Sequence, residues 1–285
     1  MQFRILPNHG KKRKMTIKHS ILTKASFAAI FCMTFMLNGC VGTSLRSLAT
    51  TPTPIVHQPR LDPTSEKSEI AVSADAFGIV NGNWLNTNDI YGGGGIVSGT
   101  FRAGGAISPL FASAHVSGFG GKVNFECMNK KGCKSGFQKW MNSDDGKDDY
   151  NFWGIQEQVM VGAEFDTRFF MNFGLAAGAR MFQGGGSYDD KREELEEEYK
   201  VKNRDDGYGA SPAVSLWLGF RIGDKAQNGS IIAQVDYANE YIVDDNDEGV
   251  LPITLSYFHP SGFHGGVTFV KNMYYNLYFG KTFTF

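Results

Sequence analysis

From residue 40 onward this 285-residue chain holds few side chains able to do chemistry: His57, His115, His259, His264, Cys40, Cys127 and Cys133. A hydrolase needs a histidine set against a carboxylate or a serine nucleophile. His57 falls in a proline-rich stretch, and His259 and His264 flank a short turn. His115 lies inside an alternating segment, where pairing with an interior carboxylate is its simplest use. No Gly-x-Ser-x-Gly elbow occurs. An enzyme is therefore not expected. Cys127 and Cys133 have no histidine close by in sequence, so zinc is not expected either. Residues 244–249 read Asp-Asp-Asn-Asp-Glu-Gly, similar to the start of a calcium loop, but the twelfth position from Asp244 is Leu255, where a bidentate Glu would be required. That stretch and residues 144–149 read as solvated loops, with no metal or other cofactor. Residues 189–206 are charged without a full apolar face, and read as a short solvated helix or mobile segment at a loop tip. Lys plus Arg number 28 against 29 Asp plus Glu, so the net charge of −1 offers no bulk attraction to nucleic acid or anionic lipid.

The ionisable residues outside the loops sit in a repeated pattern. From residue 69 the chain alternates apolar with small or polar residues, then breaks, then alternates again. The alternating segments are 70–80, about 95–106, 110–121, about 152–165, 169–183, 214–222, 231–240, 251–259, 263–270 and 273–285. A period of two is the mark of a strand with unlike faces. The breaks alternate in length: short at 107–109, 166–168, 223–229 and 259–262, long at 81–94, 122–151, 184–210 and 242–250. The connection at 271–272 is the short exception. After residue 40 no apolar run reaches 18 residues, which excludes a membrane-spanning helix there but not spanning strands. Thirty-five glycines, 23 Phe and 11 Tyr suit curved sheets with aromatic belts.

Alternation alone does not say which face is inside. A soluble sandwich or lipocalin-like barrel would alternate too. Asp75, Arg102, His115, Glu164, Arg180, Arg221 and Asp236 decide the matter. They carry both signs, about one to a strand, at mid-strand depth. Inside a narrow barrel they can pair with one another, whereas a soluble surface would carry more Lys and Glu.

The last thirteen residues read MYYNLYFGKTFTF. Met273, Tyr275, Leu277, Phe279, Phe283 and Phe285 share one face with Lys281, and Tyr274, Asn276, Tyr278, Gly280, Thr282 and Thr284 share the other. This resembles the C-terminal strand of bacterial outer-membrane β-barrels. The resemblance implies that Gly280, Phe283 and Phe285 form the signal read by the barrel-assembly machinery. Lys281 falls near the periplasmic end, where a long side chain snorkels at low cost. The expected fold is all-β: an antiparallel up-and-down transmembrane β-barrel of about ten strands, with eight or twelve as alternatives.

At the other end, Lys11, Lys12, Arg13, Lys14 and Lys18 precede an apolar run at 25–37, a secretory signal too short to span a membrane. Met15 is an alternative start. The run ends Leu-Asn-Gly-Cys at 37–40, which resembles a bacterial lipobox and implies lipid on Cys40. Val41, where an Asp would imply retention at the inner membrane, implies the outer membrane. Residues 1–39 are thus a signal peptide, and residues 40–68, rich in Ser, Thr and Pro, a disordered periplasmic tether. Residues 69–285 form the barrel. Cys127 and Cys133, in an oxidising compartment, are expected to form a disulfide closing part of the second long loop. The expected partners are outer-membrane lipid and the assembly machinery, with no nucleic acid and an unnamed surface partner. The expected role is structural or in surface interaction through the second and third loops. A narrow or gated channel is the alternative; a wide one is not expected, because barrels near eight strands fill with side chains.

Overall fold

The computed structural model describes residues 44–46, 55–60, 67–81, 90–104, 109–124, 135–167, 170–199, 202–204, 208–223, 227–238, 251–270 and 274–285. Strands are β1 (Ser44–Arg46), β2 (Glu69–Asn81), β3 (Ile90–Arg102), β4 (Leu110–Val123), β5 (Tyr150–Thr167) and β6 (Met171–Gly185). They continue with β7 (Lys202–Arg204), β8 (Tyr208–Arg221), β9 (Ser230–Ala238), β10 (Ile253–Phe258), β11 (Phe263–Val270) and β12 (Tyr274–Thr284). Two helices, α1 (Ser135–Met141) and α2 (Ser187–Tyr199), lie in the long connections.

Ten strands close a barrel in the order β10-β11-β12-β2-β3-β4-β5-β6-β8-β9. Each consecutive pair along that order is antiparallel, and β9 against β10 closes the ring. This is the expected ten-stranded up-and-down barrel. Closure removes the unpaired edges of an open sheet. The first and last strands meet along eleven residue pairs from Tyr274↔Asn81 to Thr284↔Ala71. Ile70 and Phe285 exchange backbone hydrogen bonds of 3.2 and 2.8 Å beyond them. β1 and β7 form a separate two-stranded parallel sheet.

The breaks sort to opposite ends. Short turns lead from β3 to β4, β5 to β6, β8 to β9 and β10 to β11. The last of these folds tightly: Gly262 takes φ +88, a left-handed conformation suited to glycine, and its N–H donates to His259 O at 2.9 Å. Longer connections, with α1 and α2 among them, occupy the other end.

Side chains alternate as the sequence pattern predicts, apolar outward and polar inward. Val159, Val161, Leu277 and Phe279 are 56–63% exposed, while Gln158 is 2% exposed and Asn276 fully buried. Outward aromatics form two groups. Tyr91, Trp153, Tyr208 and Tyr237 lie toward the long-loop end, and Phe101, Phe165, Phe220 and Phe283 toward the short-turn end. Aliphatic residues such as Val97, Val116, Leu175 and Leu216 fill the band between. Lys281 faces outward as predicted, with its ammonium 4.5 Å from the centre of the Phe263 ring and 5.3 Å from that of Phe283. Glu157, between Ile155 and Val159, is an outward carboxylate that the sequence reading did not single out.

Strand bounds depart from the expected ones chiefly at β8, which starts at Tyr208 where the pattern suggested residue 214, and at β3, which starts at Ile90 where it suggested about residue 95. Gly92, Gly93, Gly94 and Gly95 carry no side-chain alternation, so the period is silent there.

The lumen is packed by pairing aromatics with glycines across strands. Phe111 opposes Gly162, Phe119 opposes Gly154, and Trp217 opposes Gly174. In each pair the ring lies where a Cβ on the glycine would be. A narrow barrel holds these rings because the neighbouring strand leaves their volume free. Replacing Gly174 by Val therefore displaces Trp217 and should cost about 1–3 kcal/mol through overpacking. The temperature at which the folded band converts to the unfolded one on a denaturing gel should fall. Adding Trp217→Ala should restore part of it, and additive losses in the double variant would contradict the pairing.

Candidate functional site

The site is the lumen and the segment that occupies it. Sequence composition makes residues 40–68 a solvated tether, and over the described part this is corrected. Residues 55–59 are buried inside the barrel, with Ile55 at 5%, Val56 at 4%, His57 at 8% and Gln58 at 5% exposure. They form no helix or strand of their own. Their backbone polar groups nonetheless need partners once they leave water. Gln234 on β9 supplies two: its Oε1 accepts from His57 N–H at 2.7 Å and its Nε2 donates to Ile55 O at 2.8 Å.

The side chains of the segment meet two nodes of the barrel wall. At the first, His57 Nε2 pairs with the Glu164 carboxylate, which also accepts from Asn172 Nδ2 at 3.1 Å and lies 3.7 Å from Arg102 Nη2. The His57 ring stacks on Trp217 with centroids 3.9 Å apart and lies 5.1 Å from Phe111. At the second, the Asp75 carboxylate pairs with His264 Nε2 and accepts from Ser73 Oγ at 2.9 Å. Gln58 joins that node, donating from Nε2 to Ser73 at 3.3 Å and accepting from Thr282 Oγ1. The His264 ring stacks on Phe258 with centroids 5.0 Å apart. Beside the segment a void of about 10 Å³ remains, lined by Ile55, Val56, Gln58, Asp75, Ile96, Ser98, His115 and Tyr278. That is room for about one water.

The predicted interior charges all turn away from the outer face. Asp75, Arg102, Glu164, Arg180 and Asp236 lie in the lumen, and Arg221 at its short-turn rim. Their partners differ from those expected. Within the predicted set, Arg102 and Glu164 are paired with each other. Asp75 pairs with His264, a residue the sequence placed beside a turn. Arg221 donates in a fork to Asp166, with Nη1 2.7 Å from Oδ1. Arg180 Nε donates to Gln158 Oε1 at 2.9 Å, and Asp236 accepts from Ser215 Oγ and from Gln234 Nε2. His115 is corrected: it hydrogen-bonds Ser113 Oγ at 3.1 Å rather than a carboxylate. Gly280 faces inward, where a Cβ would meet the Asp75 carboxylate, so this glycine makes room for the Asp75–His264 pair. Phe283 and Phe285 face outward. Cys40, Cys127 and Cys133 lie outside the described residues, as do the signal at residues 1–39 and the calcium-like stretch at 244–249.

Two histidines of these nodes, His57 and His264, sit against carboxylates. A nucleophile–base set needs the imidazole between the hydroxyl and the carboxylate. At the second node His264 does lie between a hydroxyl and a carboxylate, with Thr282 Oγ1 3.4 Å from Nδ1 and Asp75 on Nε2, but the Thr282 hydroxyl donates to Gln58 Oε1 and Nδ1 also lies 3.1 Å from Gly262 O. Among the described residues no group of three or more His, Cys, Asp or Glu is placed to hold a metal.

A second feature stands at the long-loop end. The expectation of a solvated, mobile segment at residues 189–206 is corrected over α2. Tyr188, Arg192 and Leu195 share one buried helix face, and Tyr188 and Leu195 join a cluster with Trp140 of α1. Arg192 Nε lies 3.2 Å from Asp189 Oδ1, and Lys191 sits 5.3 Å from the Trp140 ring. Partial burial works against the Lys191 ammonium, but the Glu194 carboxylate outweighs it and holds the group above its ordinary value. Ser187 Oγ ties the helix to the barrel by accepting from Asn151 N–H at 2.9 Å. The outer face of α2 presents Asp190, Glu193, Glu194, Glu196, Glu197 and Glu198.

No family model and no curated protein matches this chain. Among solved structures it is similar to Neisserial surface protein A, at 12% identity and a TM-score of 0.31 over 76% of this chain and 97% of that one. It is similar to Ail of Yersinia pestis at 11% identity and a TM-score of 0.31, again over 76% of this chain and 97% of that one. An outer-membrane channel from Pseudomonas putida F1 aligns at 9% identity and a TM-score of 0.34, over 80% of this chain and all of the other. The architecture described above rests on the strand ladder itself.

Removing Glu164 as Glu164→Ala strands Arg102 and His57 in the lumen. Losing one partner of a buried ionic group costs about 3–5 kcal/mol. The unfolding temperature in detergent should fall accordingly, and further than for Asp166→Ala at the exposed rim. Equal losses at the two positions would contradict the network.

Proposed function

We propose that this chain is a bacterial outer-membrane β-barrel. On this reading its lumen is occupied by its own amino-terminal segment, and its role is structural or in surface interaction rather than transport. One observation carries the reading: residues 55–59 fill the short-turn half of the lumen and are fastened there by Gln234, Glu164, Ser73 and Thr282. Supporting the membrane assignment are the exposed aliphatic band, the two aromatic groups bounding it and an ionic interior. A bilayer offers no hydrogen bonds to an open sheet edge, and this ladder leaves none. Lipid on Cys40 and recognition of Gly280, Phe283 and Phe285 by the assembly machinery belong to the same reading.

Recognition would fall to the long-loop end. Docking α2 against Trp140 and anchoring it to Asn151 orders the platform in advance, which lowers the cost of binding. The burial of His264 and Thr282, with the Thr282 hydroxyl donating to Gln58 Oε1, supports a structural use of these groups over a catalytic one.

Planar-bilayer recording tests the reading. The purified full-length barrel, confirmed folded by its heat-dependent mobility, should insert without stepwise conductance. Regular ohmic steps from folded protein would overturn the occupied lumen and favour the narrow-channel alternative.

A further inference from the structure

We propose that the amino-terminal chain runs through the barrel from the long-loop end to the short-turn end. Cys40, with any lipid it carries, is then displayed on the side of the long loops. This rests on the membrane-barrel reading above and reverses the side of the anchor expected from sequence.

The direction of travel follows from three fixed points. Arg60 Nη2 donates to Ala103 O at 3.3 Å, which places residue 60 at the short-turn end, where β3 has just finished. Going back along the chain, Gln58 meets Ser73 and Thr282, and Ile55 and Val56 reach a void lined by Ile96, His115 and Tyr278, residues at mid-strand in β3, β4 and β12. Residues 60 to 55 therefore climb away from the turns. The third point is β1, which pairs in parallel with β7: Ser44 with Lys202, Leu45 with Asn203 and Arg46 with Arg204. β7 belongs to the long connection between β6 and β8.

The wall between is a closed ladder, so a chain inside it leaves only through an open end. Arg46 is at the loop end and residue 55 is inside, climbing toward it. Eight residues join them, a reach of about 26–29 Å at ~3.3–3.6 Å each, which is comparable to a bilayer core. The covalent path therefore enters from the loop side, passes the lumen, emerges at the turns and begins β2 there. In the orientation of an outer-membrane barrel the loop side is the cell surface. A lipid on Cys40 would sit in the outer leaflet, six residues or fewer from the parallel pairing with the β6–β8 connection.

Epitope insertion in the full chain, read with antibody on intact and permeabilised cells, tests this. One tag goes between Thr43 and Ser44, one after Thr87 in the connection between β2 and β3, and one after Lys225 in the turn between β8 and β9. The expected result is labelling of the first two tags on intact cells, and of the third only after permeabilisation. If the Thr43 tag behaves like the Lys225 tag while the Thr87 tag labels on intact cells, threading is overturned and the membrane barrel stands. If the Thr87 tag stays dark on intact cells, the membrane reading is overturned and the surface display with it. A cross-link provides a second readout free of insertions. Leu45→Cys with Asn203→Cys, in a Cys127→Ser, Cys133→Ser background, should form a disulfide that shifts non-reducing mobility. Absence of the shift in folded protein overturns the parallel pairing on which the path depends.

Discussion

Every inward polar group of this barrel has to find its partner in a space too narrow for bulk water. Closing ten strands into one ladder satisfies the backbone, but it also forces each second side chain into the lumen. The wall answers in two ways. Glycines opposite Phe111, Phe119 and Trp217 free volume for rings. Short networks around Asp75, Glu164 and Asp236 neutralise or hydrogen-bond each carboxylate. The wall leaves an unfilled core on the turn side, and residues 55–59 fill it with groups of matching polarity. Burying an unpaired polar group is costly, so the match and the occupancy depend on each other.

The fold was largely legible because its information is local. Period-two alternation fixed which face of β5, β6 and β12 turns outward, and alternating connection lengths sorted the two ends. Where side chains vanish, the signal vanishes: the glycine quartet at the start of β3 hid about five residues of strand. The occupied lumen was illegible for a different reason. A stretch rich in Pro, Ser and Thr makes no structure of its own, and residues 55–60 indeed form none. Their order comes from contacts far away in sequence: Glu164 lies 107 positions and Gln234 177 positions beyond His57. The same distance hid His264, whose partner Asp75 lies 189 residues back. The docking of α2 was more nearly readable. Tyr188, Arg192 and Leu195 fall at helical spacing on one face, a sparse signal among eight charged neighbours that only Trp140 completes.

On the proposed reading, function is a matter of which surfaces are left over once the lumen is closed. The outward band is committed to apolar contact, with Lys281 held between Phe263 and Phe283 near the turn end. Glu157 is the feature of the described outer face that fits least, and it borders a cleft shared with Gln183 and Tyr208. The proposed recognition surface is the loop end, where α1 and α2 pack together and the amino-terminal strand β1 joins β7. An anchor and a platform on the same side would hold a partner close to the membrane surface.

The central claim is that the apolar face meets lipid while the amino-terminal segment lies shielded inside. Methyl-labelled full-length protein in lipid nanodiscs addresses both halves in one spectrum. Nuclear Overhauser contacts with acyl-chain protons should reach Val159, Val161 and Leu277 and be absent from Val56, Ile79 and Ile232. Acyl contacts to the second group, or water contacts along the first, would contradict the account.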